Sequence, residues 1–201
     1  MPRHAVPQWI VSPMQGLAYW MGYNRALHPN NDVLEGAYTN TFHGLFKSAA
    51  PSRFVLFNNE GYRHFVHPDC FGDVITRRSH ADMVIYESVT VSESLRELRP
   101  VAVLEVKRGA ASRLSLIDDL KRLGRVHSVH QRLRAFLLVV SERHRPPIFV
   151  NPEGNAETQP IIIRGVDCIF NVRRVCKSAY GFEAVDHSDY VCLVEAMAVT
   201  A

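Results

Sequence analysis

The 201-residue chain reads as an α/β protein, a mixed central sheet flanked by helices with a β-rich part added after it. Three observations predict this. Val101–Val106 and Phe136–Val140 are near-continuous apolar runs of strand length, as expected of strands buried on both faces. Apolar residues recur at three- and four-residue spacing over Leu34–Phe46 and again over Leu116–Leu123, the mark of helices with one buried stripe. Hydrophobic residues make up 47% of the chain and charged residues 21%, which supports a sizeable core and excludes wholesale disorder.

Residues 1–30 carry Pro2, Pro7, Pro13 and Pro29 among the aromatic residues Trp9, Tyr19, Trp20 and Tyr23. They read as an irregular N-terminal arm, packed on the domain or onto a second subunit, with no assigned role. The first helix then opens at Asn31-Asp32. Leu34, Tyr38, Thr41, Phe42, Leu45 and Phe46 form its stripe as far as about Ser48. Asp32 suits the N-cap, and Glu35 three residues later completes a capping-box-like pair. Beyond Pro51, Arg53–Phe57 is a strand, Asn58–Gly61 a turn and Tyr62–Val66 a returning antiparallel strand. A loop over Pro68–Ser79 leads to the strand Ala81–Tyr86, a polar connection from Glu87 to Arg99, and the strand Val101–Arg108.

After Gly109 comes the second helix, with Leu116, Ile117, Leu120 and Leu123 inward and Asp118, Asp119, Lys121, Arg122 and Arg125 on the other face. Gly124 argues against an unbroken run to His130. Phe136–Val140 is a central strand, and Pro146-Pro147 marks a boundary. A core over 31–145 is therefore followed by a C-terminal β-rich extension, 146–201, packed on the same domain. Its short strands are expected at Ile148–Val150, Ile161–Ile163 and Cys168–Val172, with Tyr190–Val199 a strand or a short helix.

Net charge is +3, which by itself is not diagnostic of a polyanionic partner. No run approaches the roughly 18 apolar residues of a membrane span. The first residues lack the apolar stretch of a secretion signal, so a cytoplasmic location is expected. The four cysteines form no C-x-x-C pair and read as reduced thiols. His64-x-x-His67 and His127-x-x-His130 lack a third ligand for zinc.

The chemistry concentrates at Val101–Arg108. An unpaired charge costs several kcal/mol in a buried strand, yet this one ends with Glu105 and Lys107. Residues two apart on a strand project from one face, so the two emerge together while Leu104 and Val106 point into the core. Asp82 opens the preceding strand. An acid opening one strand and E-x-K on the next, within the order helix, strands, helix, strand over about residues 31–141, resembles the PD-(D/E)XK nuclease superfamily and its restriction-endonuclease-like αβββαβ core. The proline of that motif is replaced here by Ala81.

The resemblance implies a Mg²⁺- or Mn²⁺-dependent deoxyribonuclease. It assigns Asp82, Glu105 and the Val106 carbonyl to the metal, and Lys107 to the water or the developing charge. Glu35 matches the first-helix glutamate that reaches the metal in many relatives, in competition with its capping role. Arg77, Arg78, Arg108, Lys121, Arg122 and Arg125 would face the DNA backbone, and homodimers are frequent in the superfamily. The competing expectations are a non-catalytic nucleic-acid-binding or protein-interaction module on the same fold, or a plain strand-end ion pair between Glu105 and Lys107.

Overall fold

The computed structural model describes residues 5–30, 33–92, 95–178 and 184–198. Helices α1 (Gln8–Leu27), α2 (Glu35–Ala49) and α3 (Arg113–Val129) flank one sheet. Its seven strands are β1 (Phe54–Gly61), β2 (His80–Ser92), β3 (Leu95–Arg108), β4 (Arg134–Ser141), β5 (Ile161–Ile162), β6 (Cys168–Lys177) and β7 (Tyr190–Ala198). They lie in the order β1-β2-β3-β4-β7-β6-β5. Among the described residues only β3 and β4 run parallel, and α3 makes the crossover that a parallel pair requires. The sheet is therefore mixed, and the C-terminal residues extend it by three strands rather than forming a separate layer.

Side-chain alternation divides the core in two. Val84, Val103, Leu137 and Val139 face α3 through Leu120, Leu123 and Val126. Met83, Ile85, Leu104, Val106, Phe136 and Leu138 face α1 and α2 through Ile10, Met14, Leu17, Tyr38, Phe42 and Phe46. Both faces of β4 are thus covered, which is why its sequence shows no polar alternation.

Several expectations are corrected. The N-terminal segment is a 20-residue helix, not an irregular arm. Ile10, Met14, Leu17, Ala18 and Met21 bury one stripe, and that packing outweighs the backbone hydrogen bond Pro13 cannot make. Asp32 lies outside the described residues. α2 starts at Glu35, with Leu34 at the N-cap position and no side-chain cap. Tyr62–His64 is a single 3₁₀ turn rather than a returning strand. The polar connection between the motif strands is itself paired, so β2 and β3 form one long hairpin. Pro100 sits in β3 at a register shift opposite Tyr86, a bulge that accommodates the missing N–H. Ile148–Val150 contributes only an isolated bridge, Val150 with Ala156.

α3 runs unbroken through Gly124, because the helix passes close to β6. A Cβ at Gly124 would lie 3.0 Å from Cys168 Sγ and 3.3 Å from Phe170 Cζ. Gly109 is tighter still. Its N–H donates to the Val140 carbonyl at 2.7 Å, and a Cβ there would stand 2.6 Å from Ser141 Cβ and 3.1 Å from Ser141 Cα. Gly109→Ala is expected to destabilise the fold by about 1–3 kcal/mol through overpacking. A lowered urea midpoint at constant m would register this; an unchanged midpoint would mean that the end of β4 yields freely.

Candidate active site

The site forms where β2 begins and β3 ends. The last ladder pair at this end is Met83 with Leu104, so one step further Asp82 and Glu105 stand across from each other on one face. The Val106 N–H donates to Asp82 Oδ2 at 2.7 Å, which holds the carboxylate against β3. Leu104 and Val106 enter the opposite core, as the alternation requires. Glu105 and Lys107 therefore meet the side chains of α3.

Glu105 is only 3% exposed. Tyr62 Oη donates to its Oε1, and Arg122 Nε lies 3.7 Å from the same oxygen. Lys107 Nζ is 3.1 Å from Asp119 Oδ2 and 3.9 Å from Glu35 Oε1. Asp119, 2% exposed, also pairs with Arg122. Glu35 Oε2 accepts the Arg108 N–H at 3.3 Å. Four carboxylates and two cations are thus gathered at one end of the sheet, one acid from α2, one from β2, one from β3 and one from α3.

Burial, followed by the charge of Asp82, pushes the Glu105 carboxyl up to about 8, against the opposing pull of Tyr62 and Arg122. Burial also raises Asp119, although Arg122 and Lys107 work the other way. For Lys107, burial favours the neutral amine, but Asp119 and Glu35 outweigh it and the pKa moves upward. Lys107 is therefore an ammonium across the neutral range, suited to meeting negative charge or donating a proton rather than accepting one.

Asp82, Glu105, Lys107 and Glu35 are brought together. Glu35 reaches β3 rather than turning back to cap its own helix. Arg108 is close by but engaged, 3.2 Å from Glu142. Arg77 and Arg78 are exposed on the loop leading into β2. Lys121 is half-buried, and Arg125 donates to the Asp69 carbonyl. Asp119 and Arg122 depart from the expected outer face of α3 and turn into the site. Tyr62 and Asp119 had no role in the sequence reading. A signal for Asp119 existed, because it lies three residues after Leu116 and four before Leu123, within the buried stripe.

Two carboxylates side by side are oxygen donors of the kind a hard divalent cation takes. Asp82 Oδ1 and Glu105 Oε2 accept no hydrogen bond among the described residues, so each acid has one oxygen that no protein donor engages there. Among the described residues no three His, Cys, Asp or Glu side chains form a metal cage by themselves. Mg²⁺ does not need one, since it is typically held by one or two carboxylates and retains several waters. No helix among the described residues is long and apolar enough to cross a membrane. In comparison with known proteins, the chain matches no family model, no curated protein and no solved structure.

Proposed function

We propose that the protein is a metal-dependent nuclease that hydrolyses DNA phosphodiesters at the Asp82–Glu105–Lys107 cluster, on a restriction-endonuclease-like core made of α2, β1–β3, α3 and β4. The observation that carries this reading is the buried Glu105 carboxyl facing Asp82, each with an unclaimed oxygen, beside the Lys107 ammonium. A carboxyl held where burial and a second acid both oppose its charge is the kind of group found at functional sites. The element order helix, three strands, helix, strand over 35–141 supports the same assignment, and DNA is the substrate that the resemblance implies.

Asp82 and Glu105 would hold Mg²⁺, with the Val106 carbonyl as the main-chain ligand. The bound metal would supply an acidified water and neutralise charge on the phosphoryl oxygens. Asp82 is fixed for this by the Val106 N–H, and Glu105 by Tyr62 and Arg122. Lys107, positioned by Asp119 and Glu35, places its ammonium where negative charge develops. Burial of Glu105 and Asp119 keeps water away, so these charges act at low local dielectric.

One set of contacts favours a second reading. Lys107 pairs with Asp119 and Arg122 with Glu105, so the cluster is also a self-satisfied ionic clasp between β3 and α3 with no chemistry. Incubation with supercoiled plasmid and with linear DNA in Mg²⁺, Mn²⁺ or EDTA decides between them. Nicking or degradation dependent on metal is expected; no cleavage under any of these conditions would leave the clasp.

A further inference from the structure

The β2–β3 hairpin outruns the sheet on both sides. Pairing of β2 with β1 ends at Glu87 with Phe54, and pairing of β3 with β4 starts only at Ala102 with Arg134. Between these limits Ser88–Leu98, Val89–Glu97 and Thr90–Arg96 pair with each other, and apart from the Ser88 N–H bond to the Arg53 carbonyl at 2.7 Å they meet no third strand among the described residues. Two strands alone are marginal in water, and this ribbon carries its side chains outward from the sheet.

Its two faces differ in charge. Glu87, Val89, Glu97 and Arg99 lie on one, with Arg99 paired to Glu97 at 3.0 Å. Ser88, Thr90, Arg96 and Leu98 lie on the other, where Arg53 and Ser52, just before β1, close a groove with Ser88, Thr90 and Arg96. Two guanidiniums and three hydroxyls line this groove, and among the described residues no carboxylate does. Arg53 reaches over to Glu87 at 3.1 Å, while Arg96 is exposed with no ion pair or hydrogen bond among the described residues. Guanidiniums with hydroxyl donors recognise phosphate. A two-stranded ribbon also has the width that the major groove of B-DNA admits.

We infer that the ribbon formed by residues 88–92 and 95–98 is a duplex-DNA docking arm, entering the major groove with the face that carries Thr90 and Arg96 while Arg53 and Arg96 take backbone phosphates. This rests on the nuclease reading for its substrate class and names how that substrate is held. Along β2, Thr90 lies eight residues beyond Asp82, about 26 Å at roughly 3.3 Å per residue. Even numbering from Asp82 through Val84 to Thr90 keeps them on one side of the strand. At about 3.4 Å per base pair, the docked groove lies roughly eight base pairs from the carboxylates, so contacts and cut would be offset along the duplex.

The test is fluorescence anisotropy with a labelled 30-base-pair duplex in EDTA, where no cleavage confuses binding. Single-stranded DNA, duplex RNA and anionic phospholipid vesicles serve as competitors. The Arg53→Ala/Arg96→Ala double variant is expected to bind the duplex about tenfold or more weakly, with the salt slope reduced by about two. Glu97→Ala, on the opposite face, should bind at least as well as wild type, and matched melting curves would show that both variants fold. Unchanged affinity and salt slope in the double variant overturn the arm, as does tighter binding of vesicles, RNA or single strands than of duplex DNA. The two readings fail separately. Metal-dependent cleavage with an unaffected double variant removes the arm alone; loss of duplex binding in a protein that never cleaves removes the nuclease alone.

Discussion

Glu105→Gln and Lys107→Met should each reduce metal-dependent DNA cleavage by at least about 10²–10³-fold, the usual loss when one preorganised charge at a reacting centre is removed. Both changes are chosen to keep volume. In the first, the amide oxygen of the new side chain would still accept from Tyr62. In the second, the thioether chain would fill the space of the lysine stem. Asp119 is left with Arg122 as partner in the second variant, so the buried carboxylate is not abandoned. Cleavage rate should therefore collapse without either variant losing much stability.

The ionic-clasp reading expects the opposite division. It has no cleavage to lose, so its variants would change stability alone. Asp119→Asn separates positioning from chemistry. It weakens the hold on the Lys107 ammonium without touching either proposed metal ligand. A smaller loss, about tenfold, is expected, with a pH–rate profile displaced relative to wild type. If Asp119→Asn matches Lys107→Met in severity and leaves the profile in place, Asp119 is more than a positioning residue.

How much of this was legible before the structure depends on where the information sits. α2, the motif strands, α3 and β4 were readable because each buries a local, periodic pattern. Asp82 and Glu105-x-Lys107 were readable because charge in an apolar strand is conspicuous. α1 was missed although Ile10, Met14, Leu17 and Met21 keep helical spacing; Pro13 and the flanking prolines outweighed that period, and tertiary packing on α2 reversed the balance. The inward turn of Asp119 and Arg122 was hidden for another reason. A polar residue within a buried stripe is assigned outward unless a partner is known, and their partners, Lys107 and Glu105, come from a different element. Tyr62 shows the same limit, since only the 3₁₀ turn at Tyr62–His64 brings its hydroxyl to Glu105.

The raised Glu105 pKa makes folding stability itself a probe of the site. Below about pH 4.5 the carboxyl is protonated in the folded and unfolded chain alike and contributes no difference. Between about 4.5 and 8 the unfolded chain has released the proton while the folded chain retains it, so stability falls as pH rises through this window. Above about 8 the folded chain carries the full penalty, on the order of a few kcal/mol at about 1.4 kcal/mol per unit of pKa. Glu105→Gln removes a titration that opposes folding. In EDTA it should lie close to wild type near pH 5 and melt roughly 10 °C or more higher at pH 8.5, since each kcal/mol is worth about 2–4 °C at this chain length. A divalent cation held by Asp82 and Glu105 must displace the same proton. Mg²⁺ should therefore raise the wild-type melting temperature more at pH 8.5 than at pH 6 and leave that of Glu105→Gln nearly unmoved. Wild type and variant that melt in parallel from pH 5 to 8.5 would mean that Glu105 is charged in the folded state at ordinary cost. A Mg²⁺ shift that persists in the variant would put the cation somewhere other than on this carboxylate.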